Sequence, residues 1–267
     1  MKKLGSLLIP VGMFLLLTLV GGRILSTGKL DVTTIGIFAI VFVVLFLFSK
    51  TKSGPTKTPE HVMAELLDDY ATGAFEEDEA LKAKFYAAMT DYGKNMPKAA
   101  LAKLEKLEPL CTGDKEKYAV ALVSAKTNFL LQKFPRATRE YRRAMLFHPT
   151  PELACTVGEC YQRLGDLDNA RDSYQYAIDL EPNHADAFNR LATTYVADWD
   201  YETALEYAEK ALELDENMAN ALATAAICHG LLGDPLLSKH YTDKAIANGY
   251  NAKKIKETIE FLKKKSK

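Results

Sequence analysis

The chain has 267 residues, four cysteines and a formal net charge of −1 from 34 basic and 35 acidic side chains. This balance argues against a dedicated nucleic-acid-binding protein, which concentrates basic residues over a whole domain. Four scattered cysteines are also too few for a disulfide-stapled secreted fold. Residues 4–49 contain only three charged side chains, whereas the remainder is rich in charges of both signs.

The N-terminal region carries two apolar segments. Residues 4–22 and 32–49 are uncharged stretches of 19 and 18 residues. A membrane-spanning helix needs about 17 to 25 predominantly apolar residues, so both segments are predicted to span a bilayer. Pro10 weakens the first segment as a helix but is tolerated in membrane spans. Since only nine residues join the two segments, residues 1–49 are predicted to form a two-helix transmembrane hairpin.

The flanking cations predict the orientation of this hairpin. Two lysines precede the first span and three follow the second by residue 57, whereas the connecting loop has Arg23 and Lys29. The positive-inside rule therefore predicts that both termini and the C-terminal domain are cytoplasmic. The alternative is a cleaved signal peptide over residues 1–22, because a lysine pair precedes the first apolar core.

A polar linker and a helical region follow the hairpin. Residues 50–59 contain Gly54, Pro55 and Pro59, which break any helix that continues out of the membrane. Residues 60–117 form the helical region, in which helices are predicted over 61–70 and 80–92 from their apolar spacing.

A spacing of 34 residues recurs in the C-terminal half of the chain. It relates Ala170 to Ala204 and Ser238. Four further columns repeat at the same step: Gly158, Ala192 and Ala226; Asp166, Asp200 and Asp234; Ala177, Ala211 and Ala245; Tyr161, Tyr195 and His229. One unit upstream, Ala137 precedes Ala170 by 33 residues. Such self-similarity is typical of a repeat architecture.

The repeated residues suit a helix–turn–helix unit. Gly158 leaves room for a close helix approach, and Tyr174 fills the space beside it. Gly165 suits a left-handed residue after the first helix, and Asp166 can cap the second. The same roles are predicted for residues 233–235, which read Gly-Asp-Pro.

These columns resemble the tetratricopeptide repeat family, whose 34-residue units pair two helices. The resemblance covers 118–252, divided into units 118–150, 151–184, 185–218 and 219–252, and a degenerate unit over about 81–114 lies within 60–117. It implies an all-α fold in which the hairpin is followed by a right-handed α-solenoid. Residues 253–267 are predicted to form a basic cap helix; the alternative is that their lysines lie against anionic lipid.

The sequence shows no pattern of residues that would support catalysis. Cys155 and Cys160 lie about 140° apart around one helix, so they cannot share a metal, and we interpret them as buried small hydrophobes. A phosphate-binding loop, a nucleophile elbow and a paired His–Glu metal motif are all missing from the sequence. The chain is therefore predicted to be no enzyme and to need no metal or other cofactor.

The family resemblance implies a partner groove on the concave face, lined by the first helix of each unit. The corresponding positions are Leu122, Lys126, Glu152, Thr156, Glu159, Arg163, Asp186, Asn189, Arg190, Thr193, Asn220 and Thr224. Arg190 matches one arginine of the carboxylate clamp of chaperone-binding members, but Asp186 stands where a lysine is expected. The alternative is that these polar residues only solvate an open helix face.

The sequence therefore predicts a membrane-anchored protein–protein interaction scaffold whose cytoplasmic solenoid binds a partner protein or peptide in its concave groove. Two alternatives remain open at this point. The chain could be a self-associating structural subunit, or it could be an accessory subunit of a membrane enzyme complex that holds a catalytic subunit near its membrane substrate.

Overall fold

The computed structural model describes residues 57–265, and within this range the chain is all helical apart from turns and loops. The α-helices are α1 Pro59–Leu66, α2 Glu79–Gly93, α3 Pro97–Leu107, α4 Asp114–Leu130, α5 Phe134–Met145, α6 Pro151–Leu164, α7 Leu167–Leu180, α8 Ala185–Ala197, α9 Tyr201–Leu214, α10 Ala219–Leu232, α11 Pro235–Ala247 and α12 Ala252–Lys265. A short 3-10 turn, Glu108–Leu110, follows α3. The predicted hairpin over 1–49 lies outside the described residues.

None of the helices described here combines the length and the apolar character that a bilayer-spanning segment needs.

Local turn chemistry ends and restarts the helices as predicted. Gly165 adopts a left-handed conformation with φ of 78° after α6, and Gly233 does so with φ of 88° after α10. The Asp166 carboxylate then accepts a hydrogen bond from the backbone N–H of Asn169 at 3.2 Å. Asp200 and Asp234 cap α9 and α11 in the same way. Each aspartate satisfies a helix N–H group that has no partner within its own helix.

Small residues set the distance between the two helices of a unit. A Cβ atom added at Gly158 would lie 2.5 Å from Cε1 of Tyr174, closer than real Cβ atoms come to their neighbours. Tyr174 is fully buried, and its hydroxyl donates to Oε1 of Gln162 at 3.2 Å. The predicted pairing of a glycine with an aromatic ring between α6 and α7 is therefore confirmed.

The helix pairs stack into an all-α solenoid. Each first helix, α4, α6, α8 or α10, packs against the second helix that follows it, α5, α7, α9 or α11. Successive first helices also contact one another, α6 with α8 and α8 with α10. The first helices therefore share one face, which we call the inner face, and the second helices form the outer face.

The N-terminal segment differs from the sequence prediction. Helix α1 ends at Leu66, so the helix predicted over 61–70 is wrong beyond that point. The cause is a turn in which Asp68 Oδ1 accepts a hydrogen bond from the N–H of Ala71 at 3.0 Å. Its Oδ2 accepts one from the Tyr118 hydroxyl of α4. The ring of Tyr70 also stacks on His148 at 4.1 Å between centroids. These contacts attach the N-terminal segment to the first repeat unit.

Helix α12 covers the C-terminal end of the solenoid. Ile255 and Leu262 are buried in one cluster with Leu222 and Ala226 of α10. The lysines at 253, 254 and 256 lie on its exposed side. The helix thus shields the apolar face that the last repeat unit would otherwise expose to water.

Candidate functional site

The inner face holds a cleft where α6, α8 and α10 lie side by side. Its volume is about 350 Å³. The cleft is lined by Glu159, Gln162, Arg163, Asp186, Asn189, Arg190, Thr193, Asn220, Thr224 and Tyr250. Nearly all of these side chains are polar, so the cleft suits a ligand that offers hydrogen-bonding groups.

Arg190 lies at the centre of an ion-pair network in the cleft. Its Nε donates to Asp186 Oδ2 at 2.5 Å, and its Nη1 donates to Glu159 Oε2 at 3.3 Å. Glu159 Oε1 accepts a second bond, from Arg163 Nη2 at 3.2 Å. Burial by itself lowers the pKa of Arg190, but the hydrogen bond and the charge of Asp186 outweigh burial, and the pKa is raised. The network therefore ties α6 to α8 with two cations and two carboxylates, which leaves no net charge.

Neutral side chains connect the second unit to the third and the third unit to the fourth. Gln162 Nε2 donates to Thr193 Oγ1 at 3.4 Å, and Thr224 Oγ1 donates to Asn189 Oδ1 at 2.9 Å. Asn189 is buried, yet its Nδ2 makes no hydrogen bond to any residue between 57 and 265. This amide is a donor that a ligand in the cleft can use.

Eight of the twelve residues predicted to line a partner groove surround this one cleft. They are Glu159, Arg163, Asp186, Asn189, Arg190, Thr193, Asn220 and Thr224. The other four, Leu122, Lys126, Glu152 and Thr156, lie outside it. Glu152 is in the first turn of α6, and the Thr156 hydroxyl donates back to the backbone carbonyl of Glu152 at 2.8 Å.

The prediction was wrong for Leu122 and Lys126, because the first unit offers no open groove. Leu122 is 1% exposed and packs in the main hydrophobic cluster. Lys126 Nζ donates to the backbone carbonyl of Leu66 at 2.7 Å, so the N-terminal segment covers it. Burial in turn lowers the pKa of Lys126. The open part of the inner face therefore begins at the second unit.

Two cleft residues were absent from the sequence prediction. Gln162 lies three residues after Glu159 on α6, so helical spacing could have identified it. Tyr250 reaches the cleft from the turn before α12, outside the first helices of the repeats, and no sequence pattern pointed to it.

The four cysteines are all buried and free, including Cys155 and Cys160, which were predicted to be buried. Cys155 lies near His184 and Asp186, and one potential ligand atom of each lies within 4.8 Å of the others. This group fits a cation poorly. Burial raises the pKa of the Cys155 thiol to about 12, and Asp186 already pairs with Arg190. His184 and Asp186 also lie at the N-terminus of α8, where the helix dipole disfavours positive charge.

Comparison with known proteins identifies the repeats. Residues 150–217, which contain α6 to α9, match the family model described as Tetratricopeptide repeat. The two helix pairs within residues 150–217 are tetratricopeptide repeats. The matched segment carries six of the eight predicted residues that line the cleft.

Individual tetratricopeptide proteins are similar over different lengths. Hsp70-Hsp90 organizing protein 2 of Arabidopsis thaliana is 28% identical over 101 residues, which are 38% of this chain and 18% of that protein. A tetratricopeptide repeat protein from Parabacteroides merdae has a TM-score of 0.58 at 17% identity, with 73% of each chain covered. YrrB, described as a TPR protein with an unusual peptide-binding site, has a TM-score of 0.51 at 18% identity, with 68% of this chain and 93% of YrrB covered. At these identities, the two structural similarities concern the fold.

Proposed function

We propose that the chain is a membrane-anchored scaffold whose tetratricopeptide repeats bind an extended segment of a partner protein in the inner cleft. The observation that carries the proposal is the arrangement of polar side chains from three successive first helices around one cleft. Free donors are available there, since the Arg163 side chain is 59% exposed and the Asn189 amide is unused among the described residues. The description of YrrB as a protein with a peptide-binding site supports a peptide ligand.

The charges of the cleft define the kind of segment that fits. Arg190 is held by Asp186 and Glu159, so it is not free to clamp the terminal carboxylate of a peptide. Arg163 pairs only with Glu159, and its exposed side chain lines the cleft. The ligand we expect is an internal segment that offers backbone carbonyls to Asn189 and an acidic side chain to Arg163.

Charge reversal at Arg163 tests this function. Arg163→Glu places a third carboxylate in the cleft, and we expect it to weaken partner binding at least about tenfold. The partner is first captured with the full-length protein in detergent, and Kd values are then measured for native and variant chains. Lys98→Glu makes the same charge change at an exposed position of α3, away from the cleft, and this variant should bind as the native chain does. Equal loss in both variants, or in neither, would contradict binding in the cleft.

Anchoring through residues 4–22 and 32–49 is the second part of the proposal. Its support is the length and apolar character of both segments and the lysines that flank them. In sealed membrane vesicles of known orientation, we expect protease to digest the repeat domain only where the cytoplasmic face is outside. Digestion from the opposite face would contradict the proposed topology, and recovery in the alkaline-washed supernatant would contradict anchoring itself.

A further inference from the structure

The outer face carries equivalent positions on three successive second helices. On each helix, four residues at positions i, i+4, i+7 and i+11 form one stripe along the exposed side. The stripe is Pro135, Arg139, Arg142 and Leu146 at α5, Asp168, Asp172, Gln175 and Asp179 on α7, and Glu202, Glu206, Glu209 and Glu213 on α9. All of these residues are exposed.

The sign of the charge changes along the solenoid. The α5 stripe carries two arginines and no carboxylate, whereas the α7 and α9 stripes carry seven carboxylates and no cation. We call Pro135–Leu146 the basic face. The α7 and α9 stripes together are the acidic face. The four glutamates of α9 make no ion pair with any residue in the described range. Arg142, whose guanidinium reaches only the Tyr161 hydroxyl at 3.4 Å, makes none there either. Both faces thus hold charges that lack partners among residues 57–265.

Apolar side chains lie beside both faces. A hollow of about 520 Å³ borders the basic face, with Tyr161 and Leu164 on its far side. Leu146, at its end, is 80% exposed. On the acidic face, Tyr176, Leu180 and Leu214 are also exposed. Exposed apolar groups surrounded by charged residues are typical of a protein interaction surface.

Within one molecule, the α9 part of the acidic face is remote from the basic face. Helices α5 and α9 belong to the first and third units, with the second unit stacked between them. The α9 carboxylates and the arginines of the basic face are therefore complementary charges that a second molecule can bring together.

We propose that the basic face of one copy of this chain binds the acidic face of a second copy. The contact joins two different surfaces, so each bound copy leaves one face free, and further copies can add head to tail. It uses the outer face only, and the inner cleft stays open to a partner. The proposal therefore does not depend on ligand binding in the cleft.

Sedimentation of the full-length protein in detergent tests the proposal. We expect the mass to rise with protein concentration at about 50 mM salt and to fall towards the monomer at about 500 mM, because salt screens exposed charges. A native chain that stays monomeric at low salt up to about 100 µM, or that associates equally at both salt concentrations, would overturn it.

Paired charge reversals identify the surfaces. Arg139→Glu with Arg142→Glu makes the α5 stripe acidic like the acidic face, and Glu206→Lys with Glu209→Lys reverses two of the seven charges on the acidic face and lowers its net charge from −7 to −3. Each double variant alone should self-associate at least tenfold more weakly than the native chain. An equimolar mixture should associate again, because the first variant keeps the native acidic face and the second keeps the native basic face.

The control places equivalent changes elsewhere. Lys98→Glu with Lys106→Glu changes the net charge by the same four units as the arginine double variant, at exposed positions of α3, and should associate as the native chain does. Circular dichroism melting of every variant checks that it is folded. Folded double variants that still associate alone, or that fail to associate when mixed, would overturn the proposed contact.

Discussion

Position 158 shows how one side chain decides the approach of two helices. Gly158 is on α6, and the buried ring of Tyr174 on α7 occupies the space that a Cβ atom would take. Helix propensity alone favours alanine over glycine by about 1 kcal/mol in a helix interior. Packing and helix propensity therefore predict changes of opposite sign in the free energy of unfolding when Gly158 is replaced by alanine.

Gly158→Ala is expected to lower the free energy of unfolding by about 1 to 3 kcal/mol, since the added methyl group overpacks a rigid aromatic contact. Chemical denaturation of the full-length protein in detergent measures the change. Gly230→Ala is the matched variant, because its nearest new contact is the flexible end of Ile259 at 2.7 Å. It should cost less than Gly158→Ala. A Gly158→Ala variant that is more stable than the native chain would mean that propensity outweighs packing here.

At the scale of the element, the turn within each unit requires one left-handed residue. Gly165 and Gly233 supply it in the second and fourth units. Gln132, with φ of 57°, and Trp199, with φ of 68°, occupy the equivalent positions in the first and third. A residue with a Cβ atom adopts this conformation at a cost of about 1 to 2 kcal/mol, which glycine avoids. Two units therefore carry backbone strain that the other two lack.

Gln132→Gly is expected to raise the free energy of unfolding by about 0.5 to 1 kcal/mol, because it removes that strain at an exposed position. Gly165→Ala makes the reverse change at the equivalent turn and should lower it by a similar amount. Thermal and denaturant unfolding of both variants measure the two changes in the free energy of unfolding. Shifts of the same sign in both would rule out the turn conformation as the cause.

The same elements show which parts of the fold were predictable from sequence. Turns and caps such as Gly165 and Asp166 depend on residues within a few positions, so their pattern was sufficient. The docking of the N-terminal segment on α4 and the covering of Lys126 depend on contacts across 50 and 60 residues, Asp68 with Tyr118 and Leu66 with Lys126. A pattern read along one helix cannot contain such contacts. For that reason the cleft was predicted in the second to fourth units and mispredicted in the first.

At the scale of the whole molecule, each end of the solenoid is closed by a segment outside the four repeat units. The N-terminal segment packs on α4, and α12 packs on α10. In a stack where each unit contacts only its neighbours, loss of an end segment destabilises the adjacent unit first.

A chain that ends at Asn251 tests this dependence. It loses the buried side chains of Ile255 and Leu262, and each contributes about 1.5 to 3 kcal/mol of burial. We expect faster amide hydrogen exchange in α10 and α11, with little change in α6. Lys253→Ala in the full chain removes an exposed lysine of the same helix and should leave exchange in α10 unchanged. Uniformly faster exchange throughout the repeats would instead indicate a single cooperative unit.

Glu159 links two repeat units through an ion pair that a bound ligand can change. One of its oxygens faces Arg163 on its own helix, and the other faces Arg190 on the next unit. A ligand carboxylate that pairs with Arg163 would replace Glu159 there. Glu159 would then pair with Arg190 alone. The tie between the second and third units then strengthens, and the bending stiffness of the stack increases at that point. Occupancy of the cleft would thus appear as lower flexibility between the second and third units, on residues that do not touch the ligand.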